Sequence, residues 1–318
     1  MLPKTLRALI AGCLIAAGSD VAPAHAADAP TAPAPPVPAP TPPGPAAPES
    51  PSPGEPATPA GPAAQPPAGP VRLAAIHYTD SGARAIDPSC EDADSNCATE
   101  ALVRKAHAAG ARLVVTAEYA LRQARAEPVP ARGSPVTDAD QAPLQARFSQ
   151  LAAELSLYLV INLRTLRGAV RHNSQVAFGP DGSVVGVHHK FELYGGENEV
   201  LEAGEDVSVF DTPFGRVGLL ICADLYGDPT LHDRLTRVLG ADVVAVSSLW
   251  TVAGATRWQA AFARDWGTIV VAANSSAGAG RGSGIFDARG RALAETAMGS
   301  PSVLLAELPA ASVAAASH

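Results

Sequence analysis

Glu118, Lys190 and Cys222 each follow an apolar run. These are Leu113-Val114-Val115-Thr116-Ala117, then Val184-Val185-Gly186-Val187 with two histidines, and Val217-Gly218-Leu219-Leu220-Ile221. Taken as strands, the runs set a carboxylate, an ammonium and a thiol at the ends of apolar, buried strands, where α/β proteins gather their sites. Such a set suits covalent catalysis: a thiolate attacks, a carboxylate carries protons and a cation holds a developing oxyanion. A thiol has an ordinary pKa of about 8.5 and needs a base or a cationic neighbour to react near neutral pH. Singly, each residue has a plainer reading. An unpaired cysteine is more often a small buried hydrophobe, and Glu118 and Lys190 can solvate strand ends or pair with each other. The coincidence of all three favours chemistry.

The elements that must position them alternate in type. Val71 to His77 has the pattern of a strand, followed by a helix from about Asn96 to Ala109 with Ser95 or Asn96 as its N-cap. Arg112 to Thr116 is a strand, Leu144 to Leu155 a helix, and Leu157 to Leu163 a strand. The turn Gly179-Pro180-Asp181-Gly182 closes a hairpin from about Asn173 to Lys190. The turn Asp211-Thr212-Pro213-Phe214-Gly215 leads into the strand Val217 to Cys222. A helix after Pro229, the strand Ala241 to Ser247, a helix through Arg264 and the strand Thr268 to Ala273 follow. A last hairpin turns at Asp287-Ala288-Arg289-Gly290. Alternating units with several hairpins predict an α/β layered protein with mixed sheets.

The 318 residues are not uniform: 20 of the 30 prolines precede residue 71. Residues 1–26 have the layout of an export signal, with Lys4 and Arg7, a short apolar core Ala8 to Ala17, and Ala24-His25-Ala26 as a cleavage site. That layout is favoured over a lipoprotein signal at Cys13. Residues 27–70 form an Ala/Pro-rich spacer that cannot bury a core, suited to tethering a domain to the envelope. Residues 71–309 form the domain and 310–318 a tail. With Cys13 removed, Cys90 and Cys97 lie seven apart in a polar segment and can close a small loop, leaving Cys222 as the odd thiol. A formal charge of −8 without a basic cluster argues against nucleic-acid binding.

The segments around the three residues resemble the carbon–nitrogen hydrolase (nitrilase) superfamily, which is defined by a Glu-Lys-Cys triad. The carriers are Leu113 to Leu121, with Ala117 where a proline is usual; the hairpin Asn173 to Lys190; and Phe210 to Asp224, with Ala223 where an aromatic is common. The likeness continues through Val271-Ala272-Ala273-Asn274 and Gly282-Ser283-Gly284-Ile285-Phe286 to about Leu308. It implies a four-layer α-β-β-α sandwich with two mixed sheets. It also implies Glu118 as proton carrier, Lys190 with the Ala223 N–H as oxyanion donors, and Cys222 as nucleophile, acting on a small-molecule amide without cofactor or metal. A second glutamate is implied ahead of Gly204; Glu197 fits best, with Glu199 and Glu202 as rivals. Tyr119 and Trp250 are candidate pocket walls. The export layout, Phe-Asp-Thr-Pro-Phe-Gly-Arg and the Asp224, Asp228, Pro229 spacing look most like the vanin and biotinidase branch of exported amidases. Dimerisation through helices is a further implication.

Rival readings remain at this stage. A Cys-His protease would use His188 or His189, but nothing else suits a papain-like enzyme, and those histidines lack a second pair at metal spacing. Nitrilase, N-carbamoyl amidohydrolase and acyltransferase chemistry share the same triad. A catalytically silent exported binding module is the non-enzyme alternative.

Overall fold

The computed structural model describes residues 70–79, 83–92, 94–121, 142–167, 170–250, 254–276, 282–296 and 301–308. The expected signal with Cys13, the spacer apart from Pro70, and the tail lie outside the described residues.

In chain order the elements are β1 (Val71–Thr79), α1 (Ala83–Ile86), α2 (Ser95–Ala108), β2 (Ala111–Val115), α3 (Ala142–Leu155), β3 (Tyr158–Arg167), β4 (Val170–Phe178) and β5 (Val184–His189). They continue with β6 (Ser208–Thr212), β7 (Gly215–Ile221), α4 (Pro229–Asp233), β8 (Val243–Ser248), α5 (Thr256–Trp266), β9 (Ile269–Ser276), β10 (Gly284–Phe286), β11 (Ala292–Glu295) and β12 (Ser302–Leu308). The strands pair in two mixed sheets, β12-β1-β2-β3-β4-β5 and β11-β10-β9-β8-β7-β6. The sheets are stitched together where β1 meets β9, with Tyr78 opposite Ser275 and Thr79 opposite Ser276. Within each sheet the central strands run parallel and the flanking hairpins antiparallel.

The period of two in a strand sorts side chains into layers. Leu113 and Val115 of β2 enter the core between the sheets with Leu73, Val217, Leu219, Val243 and Val271. Val114, between them, turns the other way and packs with Leu102 of α2 and Phe148 and Leu151 of α3. On the far side Leu220, Val244, Val246 and Val270 meet Phe262 and Ala263 of α5. Strands covered on both faces carry near-continuous apolar runs, and the result is the expected α-β-β-α sandwich.

Several expectations are corrected. The N-cap of α2 is Asp94, whose carboxylate accepts from the N–H groups of Asn96 and Cys97. The helix expected after Pro229 is present, capped by Asp228, and widens into π geometry over Arg234–Val238. The strand before Lys190 is not buried: β5 is the last strand of its sheet, and Val184 and Val187 face outward, 52% and 39% exposed. The strand β12, not foreseen as an element, pairs antiparallel with β1 from Val71–Leu308 to His77–Ser302.

Candidate active site

Three strand ends converge. Beyond β2 the Thr116 N–H donates to the Val160 carbonyl (2.9 Å), and the Glu118 N–H reaches the Ser248 carbonyl at the end of β8 (3.3 Å). The Ser247 hydroxyl donates to the Thr116 carbonyl (2.7 Å), so the glutamate segment is tied across to the second sheet. Beyond β5 the Lys190 N–H donates to the Asn173 carbonyl (2.8 Å), and the Lys190 carbonyl accepts from Gly204 (2.8 Å). Gly204 must be glycine: a Cβ there would strike the carbonyl of His189. Cys222 follows β7 directly and sits at φ +48°, in the left-handed region that a side chain rarely adopts. Tyr119, next to Glu118, is likewise at φ +55°. Such residues cost on the order of 1–3 kcal/mol and persist where surrounding contacts over-determine them.

Asp224 supplies part of that determination. One carboxylate oxygen accepts from the Ile221 N–H (2.9 Å) and pairs with His188 Nε2 (2.9 Å). The other accepts from the N–H groups of Phe191 (3.1 Å) and Glu192 (2.9 Å). The turn carrying Cys222 is thereby fastened to residues on both sides of Lys190.

The Lys190 ammonium donates to Glu118 Oε1 at 3.0 Å and to Glu197 Oε2 at 2.7 Å. The Tyr119 hydroxyl donates to Glu197 Oε1 (2.7 Å), and the Tyr194 N–H to Glu197 Oε2 (3.0 Å). The Asn173 side-chain amide donates to Glu118 Oε1 (2.8 Å), Glu197 Oε1 (3.0 Å) and the Tyr119 hydroxyl (3.0 Å). The Cys222 thiol lies beside Glu118, Lys190 and the backbone of Leu249. Cys222 keeps 8% of its surface exposed, against 1% for Glu118 and 2% for Lys190.

Two carboxylates, one ammonium and a thiol share a buried space, and their protonation is divided accordingly. Burial pushes the Glu118 carboxyl up; Lys190 opposes this and the Glu197 charge adds to it. Burial also pushes Glu197 upward, but Lys190 and the donors from Tyr119 and Tyr194 together outweigh it and hold its carboxyl below the usual range. For Lys190, burial alone favours the neutral amine; Glu118, Cys222 and Glu197 overcome it and keep the ammonium charged. Burial, then Glu118, pushes the Cys222 thiol up, with Lys190 pulling the other way. Glu197 therefore balances the lysine charge, while the Glu118 carboxyl is held above its ordinary range.

Ala223 is the second residue of the 3₁₀ turn Cys222–Tyr226, where first-turn N–H groups have no acceptor within the helix. Tyr119 is bonded to the second glutamate through its hydroxyl and does not act only as a wall. Trp250 is 2% exposed, stacks on Tyr226 (5.6 Å) and meets Trp258 edge-on (5.7 Å). It backs the Cys222 turn within the same apolar cluster. Glu197, at the start of a 3₁₀ turn, is the acidic residue of its loop that touches Lys190. His188 is committed to Asp224, and His189 to Ser174 (2.7 Å) and His172 (rings 4.2 Å apart). Cys90 and Cys97 are joined by a disulfide ahead of and within the first turn of α2. Sequence reasoning missed Asn162 and Asn173. The available signal was the polar run Asn173-Ser174-Gln175 directly ahead of the apolar Val176-Ala177-Phe178 in one strand.

A layered α-β-β-α sandwich with thiol, ammonium and carboxylates at its strand ends has the features of a carbon–nitrogen hydrolase. The family model described as carbon-nitrogen hydrolase matches residues 82–317, and the chain belongs to that family. It is 34% identical over 146 residues to a biotinidase of Rattus norvegicus, covering 40% of this chain and 28% of that one. It is 30% identical over 164 residues to a pantetheinase of Canis lupus familiaris, covering 45% and 32%. The alignments thus span about a third or less of those relatives. Among solved structures, an amidase from Nesterenkonia sp. superposes with a TM-score of 0.63 at 21% identity, over 75% of this chain and 90% of that one.

Proposed function

We propose that the chain is an exported amidase that cleaves non-peptide C–N bonds through a thioester on Cys222. The observation that carries this reading is Glu118, beside the Cys222 thiol, accepting from both the buried Lys190 ammonium and the Asn173 amide. Glu118 takes the thiol proton as Sγ attacks the amide carbon. Lys190 and the Ala223 N–H hold the oxyanion, and one good donor of that kind contributes about 3–4 kcal/mol. Collapse breaks the C–N bond, and Glu118 passes its proton to the leaving amine. Glu118 then deprotonates water, which attacks the thioester; the acid leaves and the thiol is restored. Throughout, Glu197 stays ionised and balances Lys190.

Relatives support the chemistry. A mutant of the Nesterenkonia amidase forms a complex with acrylamide, and another carries the acetamide moiety of fluoroacetamide on its active-site cysteine. The likeness to biotinidase and pantetheinase supports an amide of a vitamin-like acyl group as substrate. The export layout of residues 1–26 and the Cys90–Cys97 disulfide support an oxidising compartment, with residues 27–70 as a tether. The test is a panel of amides, including pantetheine, biotinyl amides and carbamoyl compounds, scored for amine or ammonia release by the wild type and by Cys222→Ala. Turnover that survives in folded Cys222→Ala sinks the reading.

A further inference from the structure

Asn162 and Asn173 are buried, 1% and 0% exposed, on neighbouring strands β3 and β4. Two backbone groups of unambiguous character fix the Asn162 amide. The Tyr119 N–H can only donate, and it meets Oδ1 at 2.9 Å; the Ser174 carbonyl can only accept, and it meets Nδ2 at 3.1 Å. The second Nδ2 proton of Asn162 goes to Asn173 Oδ1 at 2.7 Å. With its oxygen so engaged, Asn173 turns its NH₂ group to Glu118 Oε1, Glu197 Oε1 and the Tyr119 hydroxyl. An asparagine amide does this without changing the charge: it donates as a lysine does but holds no charge and takes no proton.

Both strong donors to Glu118, Lys190 Nζ (3.0 Å) and Asn173 Nδ2 (2.8 Å), converge on Oε1. Oε2 is then the oxygen left for proton traffic with Cys222. The charged or titratable groups facing Glu118 are Lys190 beyond β5, Glu197 in its 3₁₀ turn, Cys222 beyond β7 and the adjoining Tyr119. Arg164 of β3 lies 5.2 Å over the Tyr119 ring.

We infer that Asn162 and Asn173 form an orientation relay: the backbone beside Glu118 sets the first amide, the first sets the second, and the second pins Glu118 Oε1 so that Oε2 carries the proton. Both are positioning residues, and their role in turnover rests on the amidase reading above.

Asn162→Asp tests the relay with little change of shape. The aspartate still accepts from Tyr119, but it places an acceptor against Asn173 Oδ1, and the Asn173 amide must flip its oxygen toward Glu118. Loss of a hydrogen bond to a charged carboxylate should raise the acid limb of the kcat/KM–pH profile by about one to two pH units. Asn173→Leu, which removes the donor outright, should shift it the same way. The inflection in the rate of Cys222 alkylation by iodoacetamide, followed at the Cys222 peptide by mass spectrometry, should move upward in both variants. If no amide is turned over, alkylation still reports on Glu118, so failure of the relay and failure of the amidase reading stay distinguishable. An unmoved inflection in either folded variant overturns the relay. If neither variant folds, the unaltered chain decides: with ¹⁵N-asparagine labelling, the Asn173 NH₂ protons should exchange slowly and shift with the titration that sets the acid limb. Exchange at the rate of an exposed amide overturns the inference.

Discussion

Lys190 is bound more tightly to Glu197 than to Glu118, at 2.7 Å against 3.0 Å, in a space where all three side chains are buried. Glu197 thus acts as the standing counter-charge, which in the proposed mechanism leaves Glu118 for proton transfer. A mutation at Glu197 should therefore act on Glu118 from a distance. In Glu197→Gln the repulsion that raises Glu118 is gone, and Lys190 becomes its undivided partner. Its carboxyl should fall, moving the acid limb of kcat/KM to lower pH while kcat drops about 10²-fold or more as the base weakens. A pH–rate profile checks both; an acid limb that moves upward contradicts the assignment.

Stability should respond to pH in opposite senses at the two glutamates. The folded pKa of Glu118 lies above its unfolded value of about 4.3. Over that window the folded chain binds the extra proton, so this group's contribution declines as pH rises through it, by up to about 1.4 kcal/mol per pH unit. Glu118→Gln should therefore gain on the wild type as pH rises above about 4.3 and match it below. Glu197, held below its usual range, contributes above its unfolded pKa and loses that contribution as pH falls through the folded one. Glu197→Gln should accordingly be the less stable variant at neutral pH. Urea titrations at a series of pH values separate the two.

The left-handed backbone at Cys222 predicts a trade of stability against activity. Cys222→Ala and Cys222→Gly both lack the sulfur and should both be inactive, yet glycine accepts φ +48° freely and alanine does not. Cys222→Gly should unfold later than Cys222→Ala by about 1 kcal/mol. Equal denaturation midpoints would show that the turn relaxes once the thiol is gone.

Asp224→Asn halves the acceptor capacity that four donors now share. Leaving buried N–H groups unmatched should cost about 2–4 kcal/mol in chemical denaturation. Because the same carboxylate joins the Cys222 turn to the Lys190 segment, kcat should fall more than KM rises. A variant that loses stability but keeps kcat would confine Asp224 to a structural part.

Much of the scaffold was open to reading from residues alone, because strands covered on both faces must be apolar and turns must carry Gly, Pro or Asp. The run Leu113 to Ala117 and the Gly179-Pro180-Asp181-Gly182 turn are instances. What escaped was non-local. β5 has an apolar pattern but lies at a sheet edge, and β12 is a strand because β1 lies alongside it. Local sequence carries neither fact.

Glu118, Lys190 and Cys222 were legible as a set because each follows its own strand, and strand order alone can bring such ends together. Residue types named the chemistry: a thiol, a cation and a carboxylate. The tertiary structure alone decided how the carboxylates share the lysine, since that depends on distances across three elements and on the removal of water. It alone brought in Asn162 and Asn173, whose amides gain meaning from partners 43 and 55 residues away in the chain.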